Sequence, residues 1–282
     1  MTVYPLNIQL GPLEITGYGI MMAVGFLMAG WSVQIYLRER GLNPEFAADM
    51  VVGAVIGGIL GAKLWYMVLT GDPAAFFSRA GLVWYGGFIG GVLALLFVGW
   101  RKRVPFRLTT ELSAPGLAMG YAMGRLGCFM VGDDYGIPTA LPVGVQFPEG
   151  LPPTTVQALQ EQFGVAPPAG ALPTDLVAVH PTQLYEAAIM LTVFAVLWRL
   201  RHHRHATGWL FGLYLILAGA ERFAIEFLRV KDDRLFGGVT LAQLTALGLV
   251  VIGVWLLARF RNAAAVPPAN APALAVTVAP AG

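Results

Sequence analysis

Apolar runs of helical length, each bounded by a short cluster of charge, recur along the whole chain. A segment needs roughly 20 mostly apolar residues to cross a hydrocarbon layer about 30 Å thick. Seven stretches meet that length, at roughly 17–37, 47–69, 81–100, 111–131, 181–199, 208–228 and 239–258. They take up about half of the 282 residues, which leaves no sizeable soluble domain. The pattern therefore predicts an all-α integral membrane protein of about seven transmembrane helices, forming a single domain over 1–261. One long loop, 132–180, interrupts the series. It is rich in proline, carries Asp133, Asp134, Glu149, Glu161 and Asp175, and has no Lys or Arg. A loop of this length is often functional, and this one could cover or admit a substrate. Within it, Val156 to Phe163 reads as one short amphipathic helix. The first 16 residues, with Pro5 and Pro12, read as a short outer segment. Residues 262–282 form an Ala/Pro/Val run that predicts a disordered tail.

Composition agrees with this reading. Apolar types make up 57% and charged types 12%, against about 25% charged in soluble domains. The basic residues then set an orientation, because Lys and Arg collect in cytoplasmic loops. Arg38 and Arg40 follow the first span, and Arg101, Lys102, Arg103 and Arg107 the third. Arg199, Arg201 and Arg204 follow the fifth, and Arg259 and Arg261 the seventh. That places eleven of the 18 basic residues on one side. The other side has Arg79, Arg229, Lys231 and Arg234. The N-terminus is thus expected outside and the C-terminus in the cytoplasm, with 132–180 a periplasmic or extracellular arm. The first span lacks a basic leader and a small-residue cleavage site, so it reads as an uncleaved helix. The net charge of +2 reflects topology. No basic stripe stands apart from the loops, so nucleic-acid binding is not expected. A single cysteine, Cys128, gives no internal disulfide and no cysteine metal site.

Ionisable residues inside a bilayer are costly and mark function by default. Counting 1.5 Å per residue from the cytoplasmic ends puts Lys63, Arg125, Arg222 and Glu226 in the outer half of the membrane. Tyr18 and Tyr85 enter that layer from outside, and Asp133 and His180 lie at the outer ends of their spans. Arg222, Glu226 and Arg229 are spaced i, i+4, i+7 and share a helix face. Arg125 and Arg222, from separate helices, thus face a single buried acid, Glu226, which can neutralise one neighbour by an i,i+4 pair. The remaining charge calls for an anion. Arginine's planar fork suits phosphate, and at that depth the available anion is a phospholipid headgroup. Gly53, Gly57 and Gly61 repeat at a spacing suited to close helix packing. Gly86-Gly87, beside Tyr85, could instead let a ligand approach bare backbone. His202, His203 and His205 read as a solvated loop rather than a metal site. Cys128, one turn beyond Arg125, reads as a small packing residue.

At these residues the chain resembles the prolipoprotein diacylglyceryl transferases of bacterial inner membranes. The resemblance runs from about residue 15 to 260. It rests on Tyr18-Gly19, on Tyr85-Gly86-Gly87-Phe88-Ile89-Gly90, on Gly124-Arg125-Leu126-Gly127-Cys128-Phe129 with Gly132-Asp133 and Tyr135-Gly136, on His180-Pro181-Thr182-Gln183-Leu184-Tyr185-Glu186, and on the helix Glu221 to Arg229. It implies a multi-pass enzyme of the bacterial plasma membrane that needs no metal or organic cofactor. Such an enzyme moves the diacylglyceryl group of phosphatidylglycerol to the lipobox cysteine of a prolipoprotein and releases glycerol phosphate. Carried over by position, Arg125 and Arg222 would hold the lipid phosphate and stabilise the leaving group. Glu226 would orient Arg222, Arg229 would support the site, and Tyr18 would touch the headgroup. Lys63, Asp133, Gly86 and Gly87 join the expected substrate-binding set. Tyr85 stands where many members have histidine, Cys128 where asparagine is usual, Asp133 where glutamate is common and Ala218 where some have tyrosine. The base is left open between Tyr85 and His180. Two other classes stay in view: a degenerate paralogue that binds lipid or lipoprotein without transfer, and a transporter of anionic lipid. The near absence of polar residues from the inner halves of the spans argues against the transporter.

Overall fold

The computed structural model describes residues 1–11, 13–78, 83–230 and 238–262. Arg79, Lys231, Arg234 and the tail beyond Asn262 lie outside the described residues. Eight α-helices fall within them: α1 (Gly17–Glu39), α2 (Phe46–Thr70), α3 (Trp84–Arg101), α4 (Phe106–Val131), α5 (Val156–Phe163), α6 (Thr182–Leu200), α7 (Trp209–Ile225) and α8 (Leu241–Phe260). Four of them, α1, α2, α6 and α8, are long and apolar enough to cross a membrane, and Tyr85–Arg101 is a shorter apolar helix. The other two long elements deviate for physical reasons. In α4 a buried polar group, Thr109, Thr110, Glu111 and Ser113, dilutes the apolar character. Helix α7 is only 17 residues long and carries Glu221 and Arg222. It gives way at Glu226 to a 3₁₀ turn, Glu226–Leu228, so the helix expected to run to 228 tightens over its last three residues.

The described chain divides into two compact units. One comprises Met1–Gly25, Leu117–Leu200 and Gly212–Ala258; the other comprises Phe26–Gly116, Arg201–Phe211 and the described residues from Arg259 on.

In the first unit, the segment expected to be a long loop has a core of its own. Tyr135, Val145, Phe147, Leu159, Val179 and Val230 are all buried together. Tyr135 stacks on Phe147, with ring centroids 5.7 Å apart. Helix α5 occupies the residues its amphipathic spacing predicts. Thr155 caps it by accepting from the Ala158 N–H at 3.2 Å, and Gly164 ends it in the left-handed conformation. The all-helical expectation misses one element. Strands β1 (Asn7–Leu10) and β2 (Leu13–Thr16) pair antiparallel into a hairpin just before α1. Gly11, at φ 60°, supplies the positive dihedral that this tight connection needs.

In the second unit, α2 and α3 approach closely along their glycines. A side-chain carbon at Gly57 would collide with the Gly90 carbonyl, and one at Gly61 with the Gly86 carbonyl. Glu111, fully buried, organises a separate polar group. One of its oxygens meets the His203 ring Nε2 at 2.6 Å. The other accepts from the N–H groups of Gly208 and Leu210 at 2.8 and 3.1 Å, at the start of α7. A carboxylate suits a helix N-terminus, where unpaired N–H groups and the helix dipole favour negative charge. Nearby, Glu39 takes a bidentate pair from Arg201 at 2.6 and 2.7 Å.

Candidate active site

Helix periodicity puts Tyr121, Arg125 and Cys128 on one face of α4, in the first unit. The Arg125 Nε donates to Glu186 Oε2 on α6 at 2.7 Å. Tyr121 donates its hydroxyl to the same oxygen, also at 2.7 Å. The Arg125 Nη1 reaches Asp134 Oδ2 at 2.9 Å and lies 4.0 Å from the Cys128 sulfur. The other Asp134 oxygen accepts from Arg229 Nη2 at 2.6 Å. One carboxylate thus bridges two arginines brought in by different elements.

The turn after α4 is shaped to deliver that carboxylate. Gly132 has φ 68° and Asp134 has φ 56°. A positive φ is uncommon outside glycine, and Asp is among the residues that tolerate it best. The Asp134 carbonyl accepts from the Thr182 hydroxyl at 3.0 Å, and the Asp133 carbonyl from Gln183 Nε2 at 2.5 Å. Gly136 closes the turn. Its N–H bonds the His180 carbonyl, and any side chain there would run into the Leu228 carbonyl, Thr182 and His180. The His-Pro-Thr-Gln segment therefore acts largely as a mount for the Asp133-Asp134 turn.

The third arginine is arranged differently. Arg222 Nη2 pairs with Glu226 Oε2 at 2.6 Å, as the i,i+4 spacing predicts. Its Nη1 is buried with no hydrogen-bond partner. A buried N–H without a partner is costly, and a ligand oxygen would satisfy it. One oxygen each of Asp133, Glu186 and Glu221 is likewise buried without a hydrogen bond.

Two carboxyl groups in the turn differ in affinity for a proton. Burial pushes Asp133 up to about 6, and the neighbouring Asp134 charge adds to the shift. Burial acts against the Asp134 charge as well, but Arg229 and Arg125 outweigh it and hold that carboxyl at about 2. The turn thus carries one firm anion and one group that titrates near neutrality.

The charge balance corrects the sequence expectation. Three arginines meet five acids, Asp133, Asp134, Glu186, Glu221 and Glu226, rather than one. Arg125 is already held from two sides, and Arg222 is the arginine with an open donor. Asp134, Tyr121 and the Glu186–Arg125 pair lie outside the predicted site residues, because pairing between separate elements leaves no mark on local spacing. Gly86 has a packing role as well. Its missing side chain serves the packing against α2, where a side-chain carbon would strike Gly61 and Trp65. Gly87 would meet only ordinary contacts.

The remaining predicted residues distribute as follows. Tyr18 lies close to Arg125, Asp133 and Asp134, within reach of their charges. His180 Nδ1 is 3.2 Å from the Tyr185 hydroxyl. Lys63, Tyr85, Gly86 and Gly87 belong to the second unit. There Lys63 donates to the Ser78 carbonyl at 2.6 Å, and Tyr85 is 55% exposed at the first turn of α3. No group of three or more His, Cys, Asp or Glu among the described residues is arranged to hold a metal ion.

Comparison with known proteins gives a consistent answer. The sequence model of the family described as prolipoprotein diacylglyceryl transferase matches residues 5–259. A protein of Nitratidesulfovibrio vulgaris strain DSM 19637 / Miyazaki F, named phosphatidylglycerol–prolipoprotein diacylglyceryl transferase, is 33% identical over 285 residues, covering 94% of this chain and 97% of its own. One of the same name from Xanthomonas oryzae pv. oryzae strain PXO99A is 33% identical, covering 94% and 93%. Another, from Solidesulfovibrio magneticus, is 32% identical, covering 90% and 94%.

Proposed function

The chain belongs to the prolipoprotein diacylglyceryl transferase family, and from that premise we propose how its own residues carry the reaction. The enzyme transfers the diacylglyceryl group of phosphatidylglycerol to a cysteine thiol of a prolipoprotein. The sulfur gives up its proton and bonds to the glyceryl carbon bearing the phosphate. The carbon–oxygen bond breaks, and its electron pair leaves on glycerol phosphate.

The observations that carry the assignment of roles are the Arg125–Asp134–Arg229 bridge and the buried Arg222 Nη1, which has no hydrogen-bond partner. Arg222 takes the lipid phosphate through that open donor. Arg125 stabilises the charge that develops on the leaving oxygen, and Asp134 fixes its direction beforehand. Preorganised donors of this kind act where charge appears and need not reorganise during the reaction. The same cations favour the thiolate, which is the reactive form of the sulfur. Tyr18 contacts the headgroup. Tyr85 and His180 are the two candidates for proton acceptor, and Tyr85→Phe and His180→Ala separate them.

The topology that serves this chemistry has about seven spans, the N-terminus outside and the 132–180 arm on the outer face of a bacterial plasma membrane. There an exported cysteine and a lipid phosphate meet. Arg125→Ala and Arg222→Ala should each abolish transfer in vesicles of phosphatidylglycerol with a cysteine-bearing lipobox peptide. Full activity in either variant would remove the phosphate roles assigned here. The binding-only alternative predicts lipid binding with no transfer in the unaltered protein.

A further inference from the structure

Glu186 on α6 is fully buried, and Glu221 on α7 is 5% exposed. In each, the carboxylate oxygen Oε1 is buried and has no hydrogen-bond partner among the described residues. The other oxygen of Glu186 is occupied by Arg125 and Tyr121. A buried acceptor without a donor is costly, so each one asks for an explanation. Here two acids on separate helices lie within reach of each other's charge. Both would be satisfied by a single molecule that donates twice.

The neighbours of the two acids say what that molecule is. Glu186 holds Arg125 at 2.7 Å, and Glu221 directly precedes Arg222. These are the two arginines assigned above to the lipid phosphate. The donor groups therefore belong a few bonds away from a phosphate. The charges of Arg125, Arg222 and Arg229 all reach Glu221. An ammonium group would satisfy the same oxygens but would stand among three guanidinium groups. A neutral donor avoids that repulsion. The terminal glycerol of phosphatidylglycerol meets each condition. It is uncharged, and its two hydroxyls sit on the second and third carbons from the phosphate ester oxygen.

We propose that Glu186 and Glu221 form the subsite that selects the lipid headgroup, their Oε1 atoms accepting from the two glycerol hydroxyls while Arg222 holds the phosphate. The proposal rests on the transferase reading above and adds Glu221 to the residues that decide which lipid is used. A site built to receive hydroxyls discriminates against a headgroup without them, because its buried acceptors are then left unpaired. Glu186 would act at both ends. One oxygen reads the headgroup, and the other fixes Arg125 at the leaving phosphate.

The test compares three lipids in vesicles with the full-length protein and a cysteine-bearing lipobox peptide. Phosphatidylpropanol keeps the charge of phosphatidylglycerol and lacks both hydroxyls, whereas phosphatidylethanolamine carries an ammonium group. The unaltered protein should favour phosphatidylglycerol over phosphatidylpropanol by about ten- to a hundredfold in kcat/KM. Equal use of those two lipids, or a preference for phosphatidylethanolamine, overturns the subsite while leaving transfer intact. Replacing a buried acid by an apolar residue of similar size is often neutral or stabilising, so Glu221→Leu should fold. It should bring the two lipids to within about threefold of each other, since one acceptor of the pair is gone. Glu221→Gln keeps an acceptor oxygen and loses the charge, and should leave an intermediate ratio. It carries the test if the leucine variant does not fold. A purely structural role for Glu221 would lower both lipids alike and keep the ratio of the unaltered protein, which overturns the proposal. If the unaltered protein transfers from no lipid, the transferase reading fails, and thermal unfolding in detergent decides the subsite separately. Phosphatidylglycerol should then raise the melting temperature of the unaltered protein more than phosphatidylpropanol does. Equal shifts with the two lipids would reject it.

Discussion

Asp134 accepts from Arg125 through one carboxylate oxygen and from Arg229 through the other, at a backbone position that most side chains disfavour. Asp134→Asn keeps the shape and removes the charge. Hydrogen bonds to charged groups are worth about 1.5–3 kcal/mol, so kcat/KM for transfer should fall roughly ten- to a hundredfold. An unchanged kcat/KM would show that the arginines need no anchor. The two acids of the turn also make opposite predictions about pH. Asp134, held at about 2, contributes stability that is complete above the unfolded range near 4 and is lost only as pH falls through 2. Asp133, raised to about 6, contributes stability present below the unfolded range and lost as pH rises through 6. Asp133→Asn should therefore raise the melting temperature relative to the unaltered protein at pH 8 and lose that advantage at pH 4. Thermal unfolding in detergent at the two values checks it. The sequence makes Arg125, Arg222 and Glu226 legible, since charge inside an apolar run needs no tertiary knowledge. It does not separate Asp134 from Asp133. Their roles depend on dihedrals that begin at Gly132, after the helix period has ended.

At the scale of elements, local spacing was informative wherever a helix faces one way, and silent where partners come from afar. Helix α5 matches its amphipathic pattern residue for residue, and the glycine repeat of α2 does mark close packing. The β-hairpin was hidden because two four-residue strands flanking Gly11 and Pro12 are too short to show a period. The extension of α4 back to Phe106 was hidden because Glu111 looks like a span boundary until its partners, His203 and the start of α7, are known. Removing one member of a buried charged group costs about 3–5 kcal/mol. Glu111→Ala should accordingly lower the melting temperature by several degrees. Gly61→Ala should also destabilise, because its new carbon meets backbone that cannot move aside. A melting temperature equal to that of the unaltered protein for either variant would contradict the packing described.

For the whole molecule, the proposed orientation rests on the asymmetry of basic residues, and sidedness tests whether the arm faces exported substrates. Cys128 is buried, so added cysteines can report sidedness against a quiet background. Glu149→Cys should react with a membrane-impermeant maleimide in spheroplasts, and Arg101→Cys only after permeabilisation. The reverse pattern would invert the topology. The reaction makes a carbon–sulfur bond at the expense of a phosphate ester. The most direct measurement supplies the purified protein with phosphatidylglycerol labelled in its diacylglyceryl part and a lipobox peptide. Label is expected on the cysteine through a thioether, with one glycerol phosphate released per peptide modified. Normal folding and lipid binding without either product would contradict it.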